Sequence, residues 1–287
     1  MSEIKKAIEK ARKEKGGDYG FQGRQGAKAR PVEPDAKAQR VKGAKIPKRD
    51  FSEFNPPAYT QTRSIKVDPD TLVNRKILSI VEKNEVGDQY KLLRTKVLNR
   101  TRPMGYNTIE ISSFREGDGK SLTSVNLAVT LAKETRQNVL LVDADLRRPT
   151  IHTFFGLDPS PGLRDHFVNG TSIESIMVHP GIERLTLLPA GGRMDNSTEV
   201  LGSHRMEALV EELKHRYPDR YILFDAPALC TCSDPVVLSG YIDAMVLVVR
   251  AGHTTTEDIK SGLEIIGEAN VLGIVLNDSK TRRGWAY

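Results

Sequence analysis

The chain has 287 residues, 38% hydrophobic and 28% charged, enough for one sizeable α/β domain with an appendage and too long to depend on covalent or metal staples. Its two cysteines, Cys230 and Cys232, are too close to frame a disulfide scaffold and lack His or Cys companions at zinc spacing, so a reducing cytoplasm and no structural metal are expected. The formal charge is +6, yet residues 1–50 hold 15 Lys and Arg against 7 Asp and Glu while the rest of the chain is slightly acidic; the basicity belongs to the N-terminal stretch, and no sequence-specific nucleic-acid partner is expected.

In chain order, residues 1–15 place Ile4, Ile8 and Ala11 on one helical stripe among lysines and stop at Gly16-Gly17, which predicts a short amphipathic helix. Residues 16–62 are basic and rich in Gly and Pro with few branched apolar side chains, so they read as a linker unable to offset its own ordering entropy. A helix is predicted over Gly87–Asn99 from Tyr90, Leu93 and Val97. From residue 107 short β-branched runs alternate with amphipathic stretches, the rhythm of a parallel sheet with crossover helices. Strands are predicted at Thr108–Ser112, Asn138–Val142, Leu185–Leu188, Tyr221–Phe224, Ala244–Val249 and Gly273–Leu276, and helices at Ser121–Glu134, Ser203–Arg216 and Thr255–Ala269. The apolar runs Val139–Val142 and Met245–Val249 fall far short of the ~20 residues that span a bilayer, and Met1–Arg12 is too charged for a secretory leader. Membrane association is therefore expected through a partner.

Three segments carry chemistry. The first predicted strand runs into SSFREGDGKS and then a helix, which is the context of a phosphate-binding loop. Glycines let backbone N–H groups turn toward a phosphate, the helix N-terminus adds partial positive charge and Lys120 a full one. Gly117, Asp118, Gly119, Lys120, Ser121 and Leu122 are the expected nucleotide-binding residues, with the Ser121 hydroxyl available to Mg²⁺; Phe114 stands where the first glycine of the usual pattern would be. The second segment, VLLVDADLRRP, puts Asp143 and Asp145 at a strand's carboxyl end, one suited to a metal and the other to accepting a hydroxyl proton, with a helix cap as the plainer alternative. The third, YILFDAP, is expected to end its strand at Asp225, placed to hold Mg²⁺. Asp234 reads first as the cap of the next helix, with a support for the site as the alternative, and Cys230 and Cys232 as small fillers.

These segments, in this order and spacing, resemble the cytoplasmic tyrosine autokinases of bacterial polysaccharide export, over about residues 85–280 and closest to the members that accompany exosortase-type loci. The resemblance implies a P-loop NTPase fold over residues 63–280 and an ATP- and Mg²⁺-dependent protein-tyrosine autokinase that regulates exopolysaccharide polymerisation or export. It implies that Lys120 and Ser121 bind phosphate and metal, that Asp143 activates the acceptor tyrosine, and that Asp145 and Asp225 hold or position the metal; Asn277 falls where related ATPases contact adenine. The family's Glu-x-x-Arg-x-x-Arg helix, which packs subunits into a ring, has Asp88, Lys91 and Arg94 at its spacing here. In place of a tyrosine cluster the segment 281–287 ends in Tyr287 alone, the expected phosphoacceptor. A homo-oligomer is implied, held peripherally at the inner face of the cell membrane by a membrane-embedded chain-length-determinant protein. Two alternatives stay open. Arg115 stands where cargo-positioning and chromosome-partitioning ATPases carry a signature lysine, and the basic N-terminal stretch fits a nucleotide-dependent adaptor.

Overall fold

The computed structural model describes residues 62–134, 138–216, 220–267 and 269–279. The predicted amphipathic helix, nearly all of the linker and the segment 281–287 with Tyr287 lie outside them. Strands β1 (Arg63–Ser64), β2 (Thr108–Ser113), β3 (Asn138–Asp143), β4 (Val178–His179), β5 (Leu185–Leu188), β6 (Arg220–Ala228), β7 (Ala244–Arg250) and β8 (Val271–Asn277) form one sheet in the order β1-β4-β5-β3-β6-β2-β7-β8. Neighbours run parallel except β4 and β5. All six predicted strands are present, β5 with its expected bounds and the other five longer, so the mostly parallel α/β architecture stands. The strands missed, β1 and β4, are two residues each at one edge, too short to show periodicity.

Both faces of the sheet are covered, which is why β3 and β6 are buried at every residue and carry continuous apolar runs rather than an alternation. One face, with Ile109, Ile111, Leu141 and Leu223, packs with Val125, Leu127 and Leu131 of α3 (Lys120–Ala132) and Val97 and Leu98 of α2 (Glu85–Thr101); α1 (Pro69–Asn74) joins that layer through Leu72. The opposite face divides into two clusters. Leu140, Val142, Ile222 and Phe224 meet α8 (His204–Arg216) through Met206, Leu209 and Val210, while Met245, Leu247 and Val249 meet α10 (Thr256–Ile266) through Ile259 and Ile266. The short helices α4 (Ile151–Phe154), α5 (Leu163–Asn169), α6 (Ile173–Ile176), α7 (Ser197–Leu201) and α9 (Asp234–Ser239) fill the crossovers.

Helix ends follow local chemistry. Helix α2 starts two residues before its predicted bound because the Asn84 side chain accepts from the N–H groups of Val86 and Gly87 at 2.8 and 3.2 Å. Helix α10 stops at Ile266, short of its predicted end, because Gly267 adopts φ +57. The third acid-bearing strand corrects the expectation that it ends at Asp225: β6 continues to Ala228, wedged between β3 and β2. Asp225 opposes Ile111 and Ala228 opposes Ser113, so β6 spends three residues where β2 spends two. That irregularity accommodates Pro227, which has no N–H to give a central ladder, and its carbonyl accepts from Ser112 Oγ.

Candidate active site

The phosphate loop leaves the carboxyl end of β2 and enters α3 at Lys120. Gly117 and Gly119 take φ +81 and +93, and a Cβ on Gly119 would fall 2.1 Å from Nδ2 of Asn277, so no side chain fits there. Phe114 occupies the first-glycine position because it is a core residue: its ring is fully buried beside Leu229 and lies where a Cβ on Gly262 of α10 would come within 2.3 Å. Asp118 turns away from the loop's interior. Its carboxylate accepts from the backbone N of Arg115 at 2.9 Å and Thr254 Oγ1 at 2.7 Å, and meets His253 Nδ1 at 2.9 Å. Asn277 donates to the Asp118 carbonyl at 2.9 Å, so its side chain braces the loop from the end of β8.

Lys120 is the centre of the charge arrangement. Its Nζ lies 2.7 Å from Asp145 Oδ2, 3.6 Å from Asp225 Oδ2 and 3.2 Å from Ser121 Oγ. Burial alone would lower the Lys120 ammonium; Asp225 and then Asp145 outweigh it and raise it above the ordinary lysine value. Asp225 accepts from Ser121 Oγ at 2.6 Å and from Ser124 Oγ at 2.9 Å, so both of its oxygens are tied to the first turn of α3. Burial nevertheless pushes its carboxyl up, opposed by Lys120 and the two hydroxyls. Ser124 was not legible as a site residue: a serine one turn into a helix has no signature until the strand beside it is known.

Asp143 and Asp145 each accept backbone N–H groups through one carboxylate oxygen. Asp143 Oδ2 accepts from the N–H groups of Thr150 and Ile151, both at 3.0 Å, while its Oδ1 is buried without a hydrogen-bond partner. Burial pushes the Asp143 carboxyl well up, and the charge of Asp225 adds to it, against the Ile151 N–H and Lys120. Asp145 Oδ1 accepts from Arg148 N at 2.9 Å while Oδ2 holds Lys120. The cap reading thus holds for Asp143, which receives the N–H groups at the start of α4, while Asp145 closes a turn at Arg148 outside any helix. Register does the rest: Asp143 lies directly opposite Asp225 across the β3–β6 ladder.

Lys120, Ser121, Leu122 and Asp145 line the phosphate-loop side of a cleft of about 590 Å³, with Arg147, Arg148, Phe154, Arg193 and Thr231 beyond them, while Asp143 and Asp225 are fully buried. The cleft arginines had not been assigned from sequence. Of the predicted oligomer residues, Asp88 and Lys91 pair with each other on the exposed face of α2 at 2.8 Å, whereas Arg94 turns inward to the Thr130 carbonyl and Glu134. Arg115 pairs with Asp258 at 3.4 Å on its own chain. Cys230 is exposed and Cys232 half-buried, so neither is the small filler expected, and burial raises both thiols above the usual cysteine range, which does not favour a nucleophile.

A parallel sheet, a glycine-turned loop at a helix N-terminus and a buried lysine facing three carboxylates define a P-loop nucleotide-binding protein, and the family described as an AAA domain matches residues 106–269. Tyrosine-protein kinase YwqD of Bacillus subtilis is 30% identical over 218 residues, covering 75% of this chain and 91% of that protein. This chain belongs to the family of bacterial tyrosine-protein kinases. Tyrosine-protein kinase ptk of Acinetobacter johnsonii is 28% identical over 208 residues, which is 71% of this chain and only 28% of that much longer protein. Among solved structures, the VpsO kinase domain superposes with a TM-score of 0.61 at 27% identity, covering 72% of this chain and 97% of that one.

Proposed function

We propose that the chain is an ATP-dependent protein-tyrosine autokinase that regulates exopolysaccharide polymerisation or export, within the members of its family that accompany exosortase-type loci. The observation that carries this reading is that Lys120, on the wall of the cleft, sits within 3.6 Å of both Asp145 and Asp225. Phosphoryl transfer asks a protein for positioning and charge neutralisation more than for covalent chemistry, and this arrangement supplies both. Lys120 and the backbone N–H groups at the start of α3 hold the phosphates. The tyrosine phenolate oxygen forms its bond to the γ-phosphorus as the bond from that phosphorus to the bridging oxygen breaks, and the electron pair leaves with ADP. The phenolic proton is assigned to Asp143, whose buried Oδ1 has no hydrogen-bond partner.

Ser121 Oγ, Asp145 and Asp225 form an all-oxygen set that fits a hard divalent cation, and they would hold Mg²⁺. Bound there, it supplies positive charge to the phosphate oxygens. Gly117, Gly119 and Leu122 complete the nucleotide contacts, Asp118 and Asn277 hold the loop's shape, and Tyr287 is the acceptor. The basic segment 1–61 and the exposed Asp88 and Lys91 are assigned to assembly, the first with a membrane-embedded chain-length-determinant protein, the second with further copies of this chain. No described helix is long and apolar enough to cross a membrane, which suits a protein held at the membrane's inner face by that partner.

Incubation with ATP and Mg²⁺ followed by phosphotyrosine detection tests the reading. Lys120→Met and Asp143→Ala are each expected to lower the signal at least ~100-fold, and Tyr287→Phe to remove most of it from the chain itself. Full signal in both site variants would exclude this centre, and undiminished signal in Tyr287→Phe would move the acceptor elsewhere. A cargo-positioning switch would instead release phosphate without forming phosphotyrosine.

A further inference from the structure

Arg147 lies two residues beyond Asp145 and lines the same cleft as Lys120. It is not a loose surface arginine. Nε donates to Asp234 Oδ2 at 3.1 Å, and Nη2 donates to Asp234 Oδ1 at 3.3 Å and to Thr198 Oγ1 at 2.9 Å. Asp234 is fully buried and also accepts from Ser197 Oγ at 2.6 Å and from the Thr198 hydroxyl. It is not the helix cap expected of it: Ser233 stands at the N-cap of α9, without a side-chain cap hydrogen bond, and Asp234 is the first helical residue. Burial would raise the Asp234 carboxyl, but hydrogen bonds from Arg147, Ser197 and Thr198 hold it below the usual range, ionised and matched to the guanidinium.

One carboxylate thus gathers donors from the loop after β3 and from α7. A two-point fork between carboxylate and guanidinium fixes the plane of the arginine as a single contact cannot. The result is a cation held rigidly on the wall of a site where negative charge is redistributed over phosphoryl oxygens. We propose that Asp234 is a positioning residue that presents Arg147 to the transferred phosphoryl group as a second fixed cation beside Lys120. The inference rests on the phosphoryl-transfer reading of the cleft. Arg147 moves no proton, and the bonds made and broken are those to the phenol oxygen and from the bridging oxygen. A preorganised cation of this kind acts on the rate more than on ground-state binding.

The test uses the full chain with ATP and Mg²⁺, following phosphotyrosine formation, phosphate release and the dissociation constant of a fluorescent ADP analogue, with thermal denaturation to verify folding. Arg147→Met is expected to lower the rate about 100-fold with ADP affinity held within about threefold, because the cation acts on transition-state charge. Arg147→Lys should restore less than about a tenth of the loss, since a lysine cannot take the fork. Asp234→Asn should lower the rate about tenfold in the parent chain and add nothing in the Arg147→Met background, the non-additivity expected of coupled residues. The proposal is overturned if Arg147→Met keeps its rate within about threefold, if ADP affinity falls in step with the rate, or if Asp234→Asn costs the same in both backgrounds. Should Asp234→Asn fail to fold, the comparison of Arg147→Met with Arg147→Lys decides alone. If the parent chain releases phosphate but forms no phosphotyrosine, the kinase reading fails while the role of Arg147 is still read on phosphate release.

Discussion

Glu110 sits on β2 opposite Phe224 and Met245, fully buried, with neither carboxylate oxygen hydrogen-bonded. Burial alone pushes its carboxyl well up, with no charged neighbour contributing. A folded chain that keeps this proton while the unfolded chain releases it near the ordinary glutamate value loses stability as pH rises above that value, until the folded pKa is reached. Glu110→Met is therefore expected to add about 1–3 kcal/mol at neutral pH and to flatten the fall in stability above about pH 4.5; urea unfolding across a pH series measures both. No change in either would show that the buried acid is accommodated at no cost. At this scale Lys120, Ser121, Asp143 and Asp145 were legible because each stands at a helix start or at or just past a strand end, and Asp225 because it follows an apolar run, where local spacing carries the meaning. Arg147 and Ser124 were not, because their importance lies in partners 87 and 101 residues away.

Among elements, the tightest dependency joins the phosphate loop to α10. Phe114 replaces a glycine and fills a hole that exists only because position 262 carries no side chain. Gly262→Ala would drive a methyl group into a buried ring, an overpacking expected to cost about 1–3 kcal/mol, and to weaken ADP binding because the displaced ring heads the loop. Phe114→Leu in the same chain should return part of the stability in a thermal unfolding series. An unchanged melting temperature in Gly262→Ala would mean the ring has room to shift. The strands and long helices could be read from period and caps. The length of β6 could not, because a Pro two residues after Asp225 signals a strand end, and only the irregular pairing with β2 lets the ladder run past it.

Across the whole molecule, the sheet order decides which motifs meet. β3, β6 and β2 are adjacent, so the carboxyl ends bearing Asp143, Asp225 and the phosphate loop converge where ligands bind in open α/β sheets. Composition and alternation made the class of architecture legible; the order of strands had to come from the fold. Assembly belongs to this scale too. The Asp88–Lys91 pair is solvent-exposed, and such pairs contribute about 0–1 kcal/mol to a monomer. Lys91→Glu should accordingly leave the melting temperature nearly unchanged while lowering the association constant in sedimentation experiments, and Asp88→Lys in the same chain should restore it. Unaltered association would remove this face of α2 from the subunit contact.

The placement of β6 also bears on how the protein comes into being. It inserts between two strands made earlier, and its partners Ile111 and Asp143 precede Asp225 by more than a hundred and by about eighty residues. A growing polypeptide that has emerged from the ribosome only as far as β5 possesses the glycine turn and the Asp143–Asp145 pair but not the strand that brings them side by side. Nucleotide recognition is thus a late acquisition during synthesis, which spares the cell a half-made enzyme able to consume ATP.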